Sequence, residues 1–415
     1  LPNLGRSLWV DEVYSVTQRG SWGILGIITT GSDPHPPLYY LVLHGWMSVF
    51  GQSEVAVRSL SLLFGVASII AVYLLGDALY DRRAGLFAAL LMAVSSFQIQ
   101  YAQTARMYTM LVFFATMSTY FFVRLFDDHR YDNRLGYAAM TAGMLLSHIY
   151  GSFVLLGQLV YLGLWLYANG NGLHVRQWAW TQVLPSSLFA IWFTLIAVPN
   201  YLLGDASETR WLSEPGLNDV KQLALAYAGA PNNYPMHSLE PHVRYIGIAL
   251  VTIMGGLLLW QFYTTKRTER RISGTGLLVA LLVGIIAVPI VVSYTVFPLF
   301  GVRYTIAGFA ALALLLGKAI ADIDYQPARV AVVVVVVCLF LAMVPSYHAE
   351  SPSEDWDRTA GTIENDLAKD SLIVFKPSYT QDATKFYLSD DALSTTDRVG
   401  VQSAGGPPDR LANTT

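Results

Sequence analysis

Long stretches without a single Asp, Glu, Lys or Arg run through this chain, and they restrict its fold more than any other feature. A helix needs about 20 mostly apolar residues to cross roughly 30 Å of hydrocarbon. Ser59 to Gly76, Ala84 to Ala105, Met107 to Val123, Leu135 to Val175, Gln177 to Gly204, Tyr245 to Thr265, Ile272 to Val302, Tyr304 to Gly317 and Val330 to Ala349 meet or approach that length. The 41-residue run from Leu135 is broken near Tyr150-Gly151 and reads as two helices, so about ten spans are expected. Only 13 % of the residues are charged and 54 % are hydrophobic, against a charged share of roughly a quarter in soluble domains. A water-soluble surface cannot be covered so sparsely, and neither disorder nor a simple coiled coil gathers this much apolar bulk. The expected fold class is an α-helical polytopic membrane protein. A formal net charge of −3 offers no basic footprint, so no nucleic acid is expected as partner. The lone Cys338 lies inside an apolar run, which excludes a disulfide framework and a cysteine metal cluster.

Orientation follows from the short loops rich in Lys and Arg. Arg82-Arg83, then Arg124 with Arg130 and Arg134, then Arg176, then Lys266, Arg267, Arg270 and Arg271, then Lys318 and Arg329 alternate with loops that lack such clusters. The basic loops are expected to face the cytoplasm and the others outward. Pro37 to Phe50 is too short to span and reads as an interfacial helix, with Tyr39, Tyr40 and Trp46 at headgroup depth. The expected organisation is an outer loop with interfacial helices over 1–55, a transmembrane domain over 56–345, and an extracytoplasmic α/β segment over 346–415. That last segment, expected to be truncated, carries the strand-like Leu372 to Phe375 and the helix-like Trp356 to Leu367. The alternation of loops also leads us to expect one span missing upstream of Leu1. No internal repeat is evident, which weakens a reading as a transporter built from duplicated halves.

The first outer loop reads Leu8-Trp9-Val10-Asp11-Glu12-Val13-Tyr14. Adjacent carboxylates beside a Trp at a membrane surface sit where lost solvation can make one of them a general base, although a solvated acidic pair explains them too. Asp33-Pro34-His35-Pro36-Pro37 follows, three prolines holding an Asp and a His ahead of a helix. Arg58, Arg106 (in Gln103-Thr104-Ala105-Arg106-Met107-Tyr108) and Arg303 (before Tyr304) all map to outer ends of spans, against the usual charge bias. Such arginines can snorkel to headgroups, yet a guanidinium fork also suits a phosphate. His148-Ile149-Tyr150 closes another span at that face, where a packing histidine is the bland alternative. One cavity gathering Asp11, Glu12, Asp33, His35, Arg58, Gln103, Arg106, Tyr108, His148, Tyr150, Arg303 and Tyr304 could hold an amphiphile with a phosphate head.

Leu8-Trp9-Val10-Asp11-Glu12, His35-Pro36-Pro37-Leu38-Tyr39-Tyr40, Arg58 to Gly65 and Gln103 to Tyr108 resemble the GT-C glycosyltransferases, in particular the protein mannosyltransferase and aminoarabinose transferase branch called family 39. The similarity runs over about residues 1 to 345, and the tail, with Glu354-Asp355-Trp356-Asp357-Arg358 and Tyr387, is similar to the outward domain of prokaryotic members. The resemblance implies transfer of a sugar from a polyprenyl phosphate to an acceptor outside the cytoplasmic membrane, with Asp11 as the catalytic base, Glu12 as its neighbour and Arg58 in the site. Topology extends the phosphate role to Arg106 and Arg303. Several relatives carry Lys shortly after the Pro-Pro pair, where this chain has Tyr39-Tyr40, so its phosphate clamp must use other cations.

The resulting expectation is an inverting hexosyl- or pentosyltransferase. Its partners would be a polyprenyl-phosphate-linked sugar, a protein or glycolipid acceptor and membrane lipids. No cofactor is expected. Asp11, Glu12, Asp33 and His35 could accept a divalent metal, as the oligosaccharyltransferase relatives do, but this is not favoured for the branch. A flippase of lipid-linked sugars and a non-catalytic membrane scaffold are the rival classes.

Overall fold

The computed structural model describes residues 4–19, 23–29, 35–127, 130–170, 175–199, 212–231, 240–264, 273–350, 354–366, 372–375, 380–389, 392 and 397–400. Among these, eight helices are long and apolar enough to cross a membrane: Glu54–Leu79, Tyr108–Phe126, Gly151–Asn169, Trp178–Ala197, Pro241–Thr264, Gly274–Thr295, Val302–Ala321 and Gln326–Ser346. A ninth is broken, since Arg82–Val94 and Ser96–Ala102 meet at 63°. The tenth expected span corresponds to Tyr131–Ser147, a 17-residue helix with Asp132 in its first turn and Arg134 beyond it. It is shorter and more polar than its neighbours and packs against Tyr108–Asp127 and Val175–Trp192. The chain is a multi-span helical membrane protein.

Ile306–Ala321 forms the axis of the bundle, buried on nearly every side, as expected of a helix that is apolar all round. It packs against Arg82–Val94, which packs in turn on Glu54–Leu79. Small residues allow this approach, as is common between membrane helices. A Cβ on Gly317 would fall 2.6 Å from the carbonyl oxygen of Ala84, and one on Gly85 2.6 Å from that of Tyr73. Gly317→Val should therefore lower stability by ~1–3 kcal/mol through overpacking. Thermal unfolding of the purified protein in detergent checks this, and an unshifted transition would mean that the interface has room to spare.

The two ends of the bundle differ in chemistry. At one end the Tyr80 hydroxyl meets Thr275 Oγ1 at 3.2 Å, and Lys318 pairs with Asp322 and lies 5.7 Å from the Tyr80 ring centroid. At the other end, the loop 4–19 and the short helix Leu38–Phe50 close over the bundle. In this short helix Tyr39, Tyr40, Leu43 and Met47 form the buried stripe. The expectation that Tyr39 and Tyr40 lie at headgroup depth is thus corrected: both are fully enclosed by protein, with the Tyr39 hydroxyl 3.3 Å from Ser61 Oγ. The helix is apolar on more than one face, and the side that packs on the bundle takes the tyrosines. Trp46 stays partly exposed and donates its indole N–H to the Ala56 carbonyl at 2.9 Å.

The tail contains the helix Trp356–Asp366, the strand Leu372–Phe375, the helix Thr380–Tyr387 and the strand Asp397–Gly400. The strands pair in parallel, Leu372 opposite Asp397, so the intervening helix is a crossover connection. The helix and the first strand read from sequence are both present. The helix Thr380–Tyr387 packs on the segment 10–19.

Candidate active site

The loop 4–13 carries the two carboxylates, and they have separate partners. Glu12 is buried and forms a fork with Arg58, Nε to Oε1 at 2.9 Å and Nη2 to Oε2 at 2.5 Å. Its Oε1 also accepts the Ala105 N–H at 2.7 Å, and its Oε2 accepts the Trp9 N–H at 3.2 Å, which caps the short helix Val10–Val13. Arg58 donates further to three carbonyls, those of Leu4 (3.0 Å), Arg6 (2.6 Å) and Ser7 (3.0 Å). Those bonds account for all five N–H groups of the guanidinium. Arg58 therefore fastens the loop to the helix Glu54–Leu79, and its donors are engaged within the protein.

Asp11 points the other way. Its Oδ2 lies 3.3 Å from Arg303 Nη1, with the two side chains 33 % and 22 % exposed, so the pair is open to a ligand. Arg303 comes from the 3-10 turn Val302–Thr305 at the head of the central helix. Its guanidinium carbon is 5.3 Å from the Tyr304 ring centroid and 5.9 Å from that of Trp9, two aromatic faces that favour a cation. Arg106 approaches from the turn after the bent span, donating through Nη1 to the Asp11 carbonyl (3.3 Å), Ser15 Oγ (3.1 Å) and the Tyr40 hydroxyl (3.2 Å). The bend at Ser95 matters here, because it turns the polar stretch 96–107 across the bundle end and brings both Ala105 and Arg106 to the loop. Where relatives were expected to carry Lys, this chain offers Tyr40 as an acceptor for an arginine from another element.

An aromatic wall stands beside Arg303. The rings of His35 and His148 are 4.8 Å apart, and that of Tyr304 lies 5.1 Å from His148, 5.4 Å from Tyr150 and 6.3 Å from Tyr108. The reversal 148–150 is tight. His148 is extended, and a Cβ on Gly151 would meet the Met144 carbonyl oxygen at 2.5 Å. The Tyr150 N–H donates to His148 Nδ1 at 3.1 Å, which makes that nitrogen an acceptor and leaves Nε2 to carry the proton of a neutral ring. The Tyr150 hydroxyl donates to the Leu299 carbonyl at 3.1 Å and ties the turn before Arg303 to this corner. Burial, the largest cause, raises the Tyr150 phenol well above its ordinary pKa.

Asp11, Arg106, Arg303, His35, Tyr108, His148, Tyr150 and Tyr304 thus share one corner, and Glu12 with Arg58 stands directly behind Asp11. Gln103 is buried nearby, but its amide turns back to the Ile99 carbonyl at 3.3 Å. Asp33 lies outside the described residues. Sequence reasoning missed Ser15 and Tyr40. Ser15 could have been found one helical turn after Asp11, whereas nothing in the sequence pairs Tyr40 with Arg106. Among the described residues, no group of three or more His, Cys, Asp or Glu side chains could hold a metal ion. The cavity elsewhere in the bundle, between Leu75, Thr119, Leu278 and Ala311, measures about 20 Å³ and is mostly apolar.

Residues 34–196, less than half of the chain, match the family model of dolichyl-phosphate-mannose-protein mannosyltransferases. Of the corner, the match takes in His35, Arg58, Arg106, Tyr108, His148 and Tyr150, and leaves out Asp11, Glu12 and Arg303. No curated protein matches the chain. Among solved structures, ArnT from Cupriavidus metallidurans bound to undecaprenyl phosphate superposes with a TM-score of 0.62 at 13 % identity, over 95 % of this chain and 84 % of that one. The Archaeoglobus fulgidus oligosaccharyltransferase in its apo form gives 0.54 at 12 % identity, over 95 % of this chain and 61 % of that one. With the family match over 34–196, these likenesses make this chain a membrane protein of the GT-C glycosyltransferase fold.

Proposed function

We propose that the chain is an inverting glycosyltransferase that moves a sugar from a polyprenyl-phosphate donor to a protein or glycolipid acceptor at the outer face of the cytoplasmic membrane. One observation carries this reading: the Asp11 carboxylate, partly open to a ligand, meets Arg303, while Arg106 holds the backbone carbonyl of the same residue. Glu12 and Arg58 form a closed fork of their own, and the guanidinium groups of Arg303 and Arg106 both reach Asp11, one at its carboxylate and one at its backbone carbonyl. A guanidinium fork suits a phosphate oxyanion, and the phosphate of a lipid-linked sugar is an anion of that kind. The ArnT structure, which holds undecaprenyl phosphate in the same fold, supports that choice.

The chemistry needs little more. The acceptor hydroxyl or amine attacks the anomeric carbon, its proton passes to Asp11, and the bond from that carbon to the phosphate oxygen breaks. The leaving polyprenyl phosphate gains one negative charge, which Arg303 and Arg106 stabilise. A leaving group this good needs charge compensation and no proton donor, unlike the two-carboxylate arrangement of glycosidases. The loop end of the bundle, opposite the basic loops, is the outer end on this reading.

Purified protein in lipid, given radiolabelled polyprenyl-phosphate sugars, should transfer label to an acceptor. Movement of intact donor across the bilayer would favour a flippase, and neither outcome a scaffold. Arg303→Gln should weaken binding of undecaprenyl phosphate about ten- to hundredfold, the value of a lost charge-assisted contact; unaltered affinity would remove Arg303 from the phosphate site. Transfer should also survive exhaustive chelation, and a loss restored by added divalent ion would overturn the metal-free reading.

A further inference from the structure

The backbone of the loop 4–10 is held from two sides by two different parts of the chain. Arg58, on the helix Glu54–Leu79, takes its carbonyls at Leu4, Arg6 and Ser7. The tail takes its amides. Glu354 Oε2 accepts the Val10 N–H at 3.0 Å, and the Tyr387 hydroxyl accepts the Leu8 N–H at 2.7 Å. Ser7 returns the contact, its Oγ accepting the backbone N–H groups of Trp356 (3.1 Å) and Asp357 (3.3 Å). We infer that Glu354 and the helices Trp356–Asp366 and Thr380–Tyr387 form a strut that sets the position of Asp11, with Glu354 and Tyr387 as its positioning residues.

Both residues are themselves braced. Glu354 Oε2 also accepts the Trp356 indole N–H at 2.8 Å, which orients the carboxylate towards Val10. The Tyr387 hydroxyl donates to Glu54 Oε1 at 3.0 Å, and so joins tail, loop and the first turn of the helix that bears Arg58. Serving as donor and acceptor at once requires a protonated phenol. Burial, with Glu54 adding to it, pushes the Tyr387 pKa up to about 12, so the hydroxyl keeps its proton throughout the neutral range. Leu8 and Val10 lie three residues and one residue before Asp11. Without these two bonds their N–H groups have no partner from the short helix, and the carboxylate at its start loses its fixed aim at Arg303.

The bearing on turnover rests on the glycosyltransferase reading; the bearing on loop order does not. The test therefore measures both in the full chain in lipid nanodiscs, using hydrogen exchange of peptides from 4–13, affinity for undecaprenyl phosphate, and transfer from undecaprenyl-phosphate mannose. Tyr387→Phe and Glu354→Leu should each raise exchange of the loop about tenfold while leaving that of the central helix Ile306–Ala321 unchanged, as for a local opening. Turnover should fall about tenfold or more with the donor KM and the undecaprenyl phosphate affinity within about twofold, because positioning acts on the chemical step. Glu354→Gln, which keeps an oxygen for the Val10 amide, should restore both. Unchanged loop exchange in the first two variants, or raised exchange with turnover intact, would overturn the proposal. A wild-type protein that transfers nothing from any donor would instead count against the glycosyltransferase reading, and loop exchange would still judge the strut.

Discussion

Asp11→Asn is expected to abolish measurable transfer while the protein remains folded and still binds undecaprenyl phosphate. Asparagine has the same size and can still accept from Arg303 through its amide oxygen, so the corner should keep its shape. What it lacks is a site for the acceptor's proton. Loss of a general base typically costs about 10²–10⁴ in rate. Removing a negative charge beside Arg303 should leave the affinity for an anion unchanged or slightly higher, the opposite of Arg303→Gln. Single-turnover transfer together with undecaprenyl phosphate binding distinguishes the two variants. Near-normal transfer by well-folded Asp11→Asn would remove the carboxylate from the mechanism.

The second large effect is on stability. Arg58→Leu should leave Glu12 as a buried charge without its partner, which typically costs ~3–5 kcal/mol, and should also free three loop carbonyls. Arg58→Lys should rescue little, since an ammonium cannot reproduce the planar fork that meets both carboxylate oxygens. Replacing both partners, Glu12→Leu with Arg58→Leu, should cost much less than the sum of the single changes, as coupled neighbours do. Denaturation midpoints in one detergent of the wild type, Arg58→Leu, Arg58→Lys, Glu12→Leu and the double variant test this. Additive losses would show that the two side chains act independently.

These expectations mark where sequence reading succeeded and where it stopped. Uncharged runs and their intervening loops reveal the spans, because crossing hydrocarbon imposes a length that composition must satisfy. They also bring Asp11, Arg106, Arg303, His35 and His148 to one end, since alternation of loops decides the end. Residue type alone does not tell which acceptors a guanidinium will reach. Arg58 and Arg303 look equivalent in sequence, yet one has its five donors engaged in the loop and the other faces the open carboxylate. Tyr39 and Tyr40 turn inward without a sign in the sequence, because a short helix apolar on more than one face does not say which face meets protein and which meets lipid. The contacts of Glu354 and Tyr387 with the loop leave no local trace at all, being separated by 344 and 379 residues.

That separation also has a consequence in time. A ribosome adds roughly 5–20 residues per second, so some 20–75 s pass between synthesis of Leu8 and of the Tyr387 that receives its amide. The membrane bundle can be threaded and packed in that interval, while the loop carrying the reactive carboxylate waits without two of its anchors. A nascent chain thus carries an unfinished centre until the helix Thr380–Tyr387 has been made and docks.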